Sequence, residues 1–351
     1  MGMHRREFLE LGAGAALALG GMSLGGLSSC SGPAAKPVSK FESPESLPIV
    51  DTHQHLWNHD KFKLSWISPE VPQVLQRNYE TKEYLEAIDG LNVVQAVYME
   101  VHMVPEEHAR EAEYVIGLSR SPEAPTSAAV ISGWPEDEGF VAHIDRYKDN
   151  PYIKGVRRIL HDDNVPTGLC LRRQFVRGVQ HLGEIGKGFD ICIRPTELQD
   201  AVKLVDQCPH TRFILDHCGN ADPKAFAPMV KRIGKEKPWH GVEEWKLGIA
   251  DLARRENVIC KISGLVVRAL ENDWTSDDLA PAVNHCLNEF GPDRVVFGSD
   301  WPVVLLRASL AEWVTAIKEV VSNRPIEEQR KLFHDNAVRL YGLRSEVASA
   351  L

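Results

Sequence analysis

Two histidines one residue apart, His53 and His55, close the segment Leu47-Pro48-Ile49-Val50-Asp51-Thr52-His53-Gln54-His55. If its apolar start is a strand, side chains alternate with a period of two. Both imidazoles then point the same way and can share one metal ion or one substrate oxygen. Polar or ionisable groups recur after later apolar runs: Glu100 and His102, Trp134, Arg157 and Arg158, Arg194, Asp216 and His217, Ser263 and Gly264, then Ser299, Asp300 and Trp301. Packing alone does not place such groups behind one run after another. With His217 and Asp300, the pair His53/His55 reads as a His/carboxylate cluster able to hold a cation or polarise a carbonyl. Ser299 is not set in Gly-x-Ser-x-Gly, so a nucleophile elbow is not part of this chemistry.

The runs that must position these groups are Leu47–Val50, Val93–Met99, Ser127–Ile131, Ile153–Val156, Phe189–Ile193, Arg212–Leu215, Val258–Ile262 and Arg294–Phe297. Between them lie amphipathic patterns predicting helices at Glu106–Leu118, Arg173–Ile185, Leu198–Val205, Val242–Arg254, Asp278–Phe290 and Leu310–Val321. Strands alternating with helices imply parallel pairing through right-handed crossovers. Eight units over about 300 residues predict a (β/α)8 TIM barrel, with its chemistry at the carboxyl ends of the strands. The rival, a doubly wound open sheet, wants a Gly-rich first turn, where this chain has Asp51-Thr52-His53-Gln54-His55. Two longer connections, His59–Gln76 and Asn220–Trp239, are expected to overhang the active face.

Several segments carry a resemblance: Ile49-Val50-Asp51-Thr52-His53-Gln54-His55-Leu56-Trp57, Lys154-Gly155-Val156-Arg157, Leu215-Asp216-His217, Cys260-Lys261-Ile262-Ser263-Gly264-Leu265, Val296-Phe297-Gly298-Ser299-Asp300-Trp301-Pro302-Val303 and Asn336-Ala337. From about Pro48 to Leu343 the chain resembles the amidohydrolase superfamily of metal-dependent hydrolases, and within it the branch of sugar lactonases such as L-fuconolactonase and L-rhamnonolactonase. The resemblance implies hydrolysis of a lactone, with Asp300 as the base that takes a proton from water. His53, His55 and His217 would hold a divalent ion, zinc by preference, or polarise the carbonyl, and Glu100 and Asp300 complete the ligand candidates. Arg157, Arg194, Trp301 and Trp134 would meet the substrate, as would Trp57, Trp66 and Trp239 if aromatic faces line a sugar-binding mouth. His102, His161 and His240 are expected to be structural or solvent-facing.

Departures from the binuclear pattern matter as well. Strand four offers Arg157 where such members carry a bridging Lys or Glu, and strand five offers Cys192 and Arg194 where they carry a His. One ion or none is therefore expected. The alternatives are a non-oxidative decarboxylase of the same superfamily and a lipid-anchored sugar-binding protein.

The amino end differs from the rest. Arg5-Arg6-Glu7-Phe8-Leu9 precedes a nearly uncharged run rich in Gly, Ala and Leu that ends at Leu27-Ser28-Ser29-Cys30. This resembles a twin-arginine signal closed by a lipobox, which implies export of the folded chain and lipidation of Cys30. Residues 1–29 would be the signal, 30–47 the lipidated cysteine and a flexible tether, 48–345 the barrel and 346–351 a tail. The mature protein would then be a periplasmic or membrane-surface lipoprotein served by the twin-arginine machinery. With 40 Lys and Arg against 49 Asp and Glu, net charge −9, and no basic run, the chain is a poor nucleic-acid binder. The cysteines at 170, 192, 208, 218, 260 and 286 show no CxxC pair, so free core thiols are expected.

Overall fold

A computed structural model describes residues 43–64, 66–232, 237–270 and 274–344. The expectations for the export signal, Cys30, most of the tether and the tail lie outside the described residues. The eight strands are β1 (Ile49–Gln54), β2 (Val93–Met99), β3 (Thr126–Ser132), β4 (Ile153–Ile159), β5 (Gly188–Cys192), β6 (Arg212–Leu215), β7 (Val258–Ile262) and β8 (Val295–Phe297). Each pairs in parallel with the next, in sequence order. The ring closes where β8 meets β1. Asp300 N donates to His53 O at 2.9 Å, His55 N to Trp301 O at 2.8 Å, and Thr52 Oγ1 to Phe297 O at 2.6 Å. The fold is the (β/α)8 barrel.

Helices fill the connections. His108–Arg120, Arg173–Glu184, Leu198–Gln207, Val242–Ala253, Ser276–Phe290 and Leu310–Val321 fall within two or so residues of the predicted patterns. Capping explains two of the starts: Thr275 with Asp278, and Ser309 with Glu312, satisfy orphan N–H groups at the first turn. The short helices Thr81–Ala87 and Phe140–Asp145 and the run from Ile326 to Tyr341 are additions; the first two span under two and a half turns, too short for a periodic apolar stripe.

The core has two layers. One cluster fills the barrel with Val50, Val97, Met99, Val130, Ile214, Ile259 and Val296 and takes in Ala337 and Tyr341 of the last helix. A larger one lies between strands and helices. The six cysteines at 170, 192, 208, 218, 260 and 286 are free and buried, as expected.

Two strands run further than their apolar stretches. β1 continues through His53, and β4 through Arg157 and Arg158. Polar residues can stay in a buried strand when partners meet them. Asp51 shows how: its carboxylate accepts from Ser299 N and Oγ at 2.7 and 2.6 Å and from Tyr84 OH at 2.7 Å. That ties the end of β8 onto β1 and aims Asp300. The first of the two long connections reaches the active face, and the first residue of the second borders it. His59–Gln76 contributes Trp66 and Leu75 to the cavity wall there, and the segment from Asn220 contributes Asn220.

Candidate active site

At the carboxyl ends of the strands lies a cavity of about 260 Å³, walled by Trp57, Trp66, Leu75, Val101, Ile159 and Val267. His55, Arg157, His217, Asp300 and Arg268 also border it. His53 is fully buried just beneath. Asp300 Oδ1 is 3.3 Å from His55 Nε2 and 3.5 Å from His53 Nε2. The His53 ring lies 4.5 Å from that of His217. The structure thus brings together four residues taken from strands one, six and eight.

The backbone is strained where these groups sit. Asp300 has φ 59°, His217 φ 54° and His102 φ 52°, left-handed conformations that cost a non-glycine residue and are held only by surrounding structure. Two glycines make room. A Cβ on Gly298 would come within 2.7 Å of His53 Cβ, and one on Gly264, itself at φ +67°, within 2.3 Å of His217 Nδ1. His217 Nδ1 is instead 2.9 Å from Ser263 Oγ. Gly264→Ala is therefore expected to push the His217 ring aside and lower turnover by about 100-fold, the scale of a 1 Å misplacement. Near-wild-type kinetics in a folded variant would show that the ring position is immaterial.

Beneath the cluster lies a buried charge network. Lys261 Nζ is 2.8 Å from Asp190 Oδ2, 2.9 Å from Asp216 Oδ1 and 3.3 Å from His53 Nδ1, with both carboxylates and the lysine fully buried. The Asp216 contact is an ion pair, close in distance but not aligned as a hydrogen bond. Arg157 is fixed by Glu100, whose Oε1 accepts from Nε at 2.6 Å and whose carbonyl accepts from Nη2 at 2.8 Å. Its Nη1 reaches His53 Nε2 at 3.1 Å and Asp216 at 3.5 Å. Of the five N–H groups of a guanidinium, that leaves one on Nη2 for a ligand.

These surroundings set the charge states. Burial and the Lys261 charge hold the His53 imidazole well below the usual histidine range. Burial likewise lowers His217, against the pull of Asp300 and Asp216. For Asp300, burial pushes upward, but His217, His55 and His53 outweigh it and hold the carboxyl far below the usual range. Cys192 borders the cavity, yet burial pushes its thiol up to about 12, so no thiolate nucleophile is offered.

Several expected contacts lie elsewhere. Glu100 is outside the His53/His55/Asp300 cluster: Oε1 is taken by Arg157, and Oε2 accepts from Ser132 Oγ and His102 N, so it anchors the arginine. Arg194 turns away from the cavity wall, its guanidinium held by Glu197 and the Asp162 and Val165 carbonyls. Trp134 packs under Arg158 and beside His108, and Trp301 is buried against Tyr79 and Tyr84. Trp57 and Trp66 are the tryptophans that line the cavity, with His102 and His161 beside them. His240 is structural, accepting from Asp222 N. Lys261, which lies within the Cys260–Leu265 segment, Asp190 and Arg268 also belong to the site, although none of them is a candidate by position at a strand end. Lys261 had one available signal: at period two it shares the inward side with Ile259.

The candidate ligand set can be checked against a cation. His55 Nδ1 is 3.0 Å from the Met99 carbonyl and so carries the proton, which leaves the Nε2 lone pair facing the Asp300 carboxylate. Lone pair against carboxylate is repulsive unless a cation or proton stands between. Neighbouring ligands on a tetrahedral ion with bonds of 2.0–2.1 Å lie ~3.3 Å apart, close to the 3.3 and 3.5 Å separations found. His53, His55 and Asp300 are therefore spaced for one divalent ion, which would require Arg157 Nη1 to release the His53 Nε2 lone pair that it holds at 3.1 Å. Arg157 already stands at His53 Nε2, and its charge disfavours a second ion beside it.

A (β/α)8 barrel with a His/Asp cluster at the carboxyl ends of its strands is the arrangement of a barrel enzyme. The amidohydrolase family model matches residues 50–343, and the chain belongs to that family. It is 27% identical over 304 residues to an L-fucono-1,5-lactonase from Burkholderia multivorans, covering 84% of this chain and 96% of the relative. It is 23% identical over 211 residues to an L-rhamnono-gamma-lactonase from Scheffersomyces stipitis, covering 54% and 59%. Its fold is shared with a solved amidohydrolase from Burkholderia multivorans with bound zinc, TM-score 0.71 and 24% identity, covering 85% of this chain and 100% of that one.

Proposed function

We propose that this chain opens the ring of a small sugar lactone by hydrolysis, with Asp300 as the proton acceptor. The observation that carries this reading is the meeting of Asp300, His53, His55 and His217 beside Arg157 at the buried end of a monosaccharide-sized cavity. The two lactonase relatives support it. In the same reading the leader and Cys30 are expected to carry the enzyme out of the cytoplasm on a lipid anchor.

Hydrolysis of a lactone needs an activated water and a home for the oxyanion. Oδ1 of Asp300 faces the imidazoles, leaving Oδ2 to accept the proton as water adds to the carbonyl carbon. The remaining Nη2 hydrogen of Arg157 and the imidazole of His217 receive the negative charge that forms on the carbonyl oxygen. Collapse breaks the ring C–O bond, and Asp300 returns its proton to the leaving alkoxide, giving the hydroxy acid. No covalent intermediate is formed. A carboxylate held so far below its usual range is a weak proton acceptor on its own. A divalent ion on His53, His55 and Asp300, zinc in this reading, would supply Lewis acidity and bring the pKa of water towards neutrality.

Proton release from a panel of aldonolactones, followed by pH-stat with and without chelator, tests the reaction. Turnover of at least one lactone is expected. Silence on all of them, with carbon dioxide released from an unsaturated or aromatic acid, would move the assignment to the decarboxylase. Elemental analysis of the double variant His53→Ala, His55→Ala is expected to lose the stoichiometric ion found in the parent; retention would place the ion elsewhere.

A further inference from the structure

One charged group on the cavity wall has no part in the reaction above. Arg268 lies on the turn Leu265–Arg268 that follows β7, and it borders the same cavity as Asp300 and His217. Its guanidinium carbon sits 3.1 Å above the centre of the Trp239 ring. Trp239 is placed there by its own connection: its backbone N–H donates to Asp222 Oδ2 at 3.1 Å, while Asp222 N donates to His240 Nε2 at 2.8 Å. Asp222 is fully buried and also accepts from Lys224 N.

The aromatic face holds the flat side of Arg268 and uses none of its N–H donors, which lie in the guanidinium plane. Among the described residues its guanidinium makes no ion pair, Asp222 and Asp300 acting on it only from a distance, whereas Arg157 is paired with Glu100 and Asp216. Burial lowers Arg268 to about 10, so it stays charged at neutral pH. Its surroundings include His161, which burial and the Arg268 charge push down to about 3 and hold neutral. A partly buried, stacked guanidinium with a free donor edge is suited to a planar anion of two oxygens.

We propose that Arg268 is a specificity-determining residue that binds a carboxylate on the substrate, so that the favoured lactone is an acid-bearing one and not a neutral sugar lactone. The carboxylate lies on the Trp239 side of the cavity, away from the ring carbonyl at Asp300. This rests on the lactonase reading for its substrate class. The stacked tryptophan fixes the plane of the guanidinium, and thereby the plane in which the carboxylate is held.

Two lactones matched in ring size test it, one ending in a carboxylate and the other in a hydroxymethyl group. The parent enzyme is expected to favour the carboxylate by tenfold or more in kcat/KM. Arg268→Met should lose ~100-fold on the acid-bearing lactone, the scale of a charge-assisted contact, with the loss in KM. The loss on the neutral lactone should be at least ten times smaller, and Arg268→Lys should recover part of the difference. Equal losses on both, or a parent preference for the neutral lactone, would overturn the proposal. If neither lactone is opened, the lactonase reading fails, and calorimetric binding of the ring-opened dicarboxylate to parent and Arg268→Met still judges Arg268. Binding weakened at least tenfold in the variant supports it; equal binding, or none to either, overturns it.

Discussion

Asp300→Asn is expected to lower kcat by ~10² to 10⁴, the range contributed by a positioned general base. The substitution is close to isosteric, and asparagine is among the few side chains that tolerate a left-handed backbone, which Asp300 adopts at φ 59°. The Asp300 N–H bond to the His53 carbonyl is a main-chain contact and survives the change. What goes is the carboxylate that faces two imidazoles at 3.3 and 3.5 Å. An amide cannot take a proton from water. Steady-state kinetics on the best lactone, with metal content measured on the same sample, separates loss of the base from loss of the ion. A folded variant turning over within about threefold of the parent would remove Asp300 from the reaction.

Lys261→Met is expected to cost about 3–5 kcal/mol at neutral pH, the penalty for stranding buried charge when one partner is removed. The lysine lies between Asp190 and Asp216, all three fully buried. Methionine fills similar volume but leaves two carboxylates facing each other. In the parent, burial and the Asp216 charge raise Asp190 to about 6 even with Lys261 beside it. Without the ammonium, that carboxyl must be raised further. A carboxyl whose folded pKa exceeds its unfolded value binds its proton more tightly in the folded state, so stability is greatest at low pH and is lost as pH rises through the folded pKa. The deficit of the variant should therefore be largest at pH 8 and shrink as pH falls through 6. Denaturant unfolding at both pH values checks this, and a deficit that does not change with pH would mean that the lysine contributes packing alone.

The alternation of apolar runs with amphipathic stretches is local, because strand and helix periods are properties of neighbouring residues. That is why the barrel and six of its helices could be read before any contact was known. The pair His53/His55 was legible for the same reason: a spacing of two on one strand has one geometric outcome. Asp300 and His217 were legible because they close their runs in motifs that carry little else.

Arg194, Trp134, Trp301 and Glu100 also stand at strand ends, yet none of them joins the His53/His55/Asp300 cluster. Position at a strand end says where a side chain starts and not which partner captures it. Arg194 is taken by Glu197, three residues on. Glu100 is taken by Arg157 from another strand. Trp301 turns into the packing of Tyr79 and Tyr84.

By itself the amino-acid sequence determined the barrel, its order of elements and the residue types gathered at one end, since these follow from local periodicity and from motifs within single segments. Only the tertiary structure decided which of those groups face one another. A charge such as Lys261 is tolerable inside the barrel because β5 and β6 bring carboxylates to it, and Arg268 faces the cavity because a distant connection lays Trp239 over it. Those energies depend on distance across the fold, between residues from different segments of the chain.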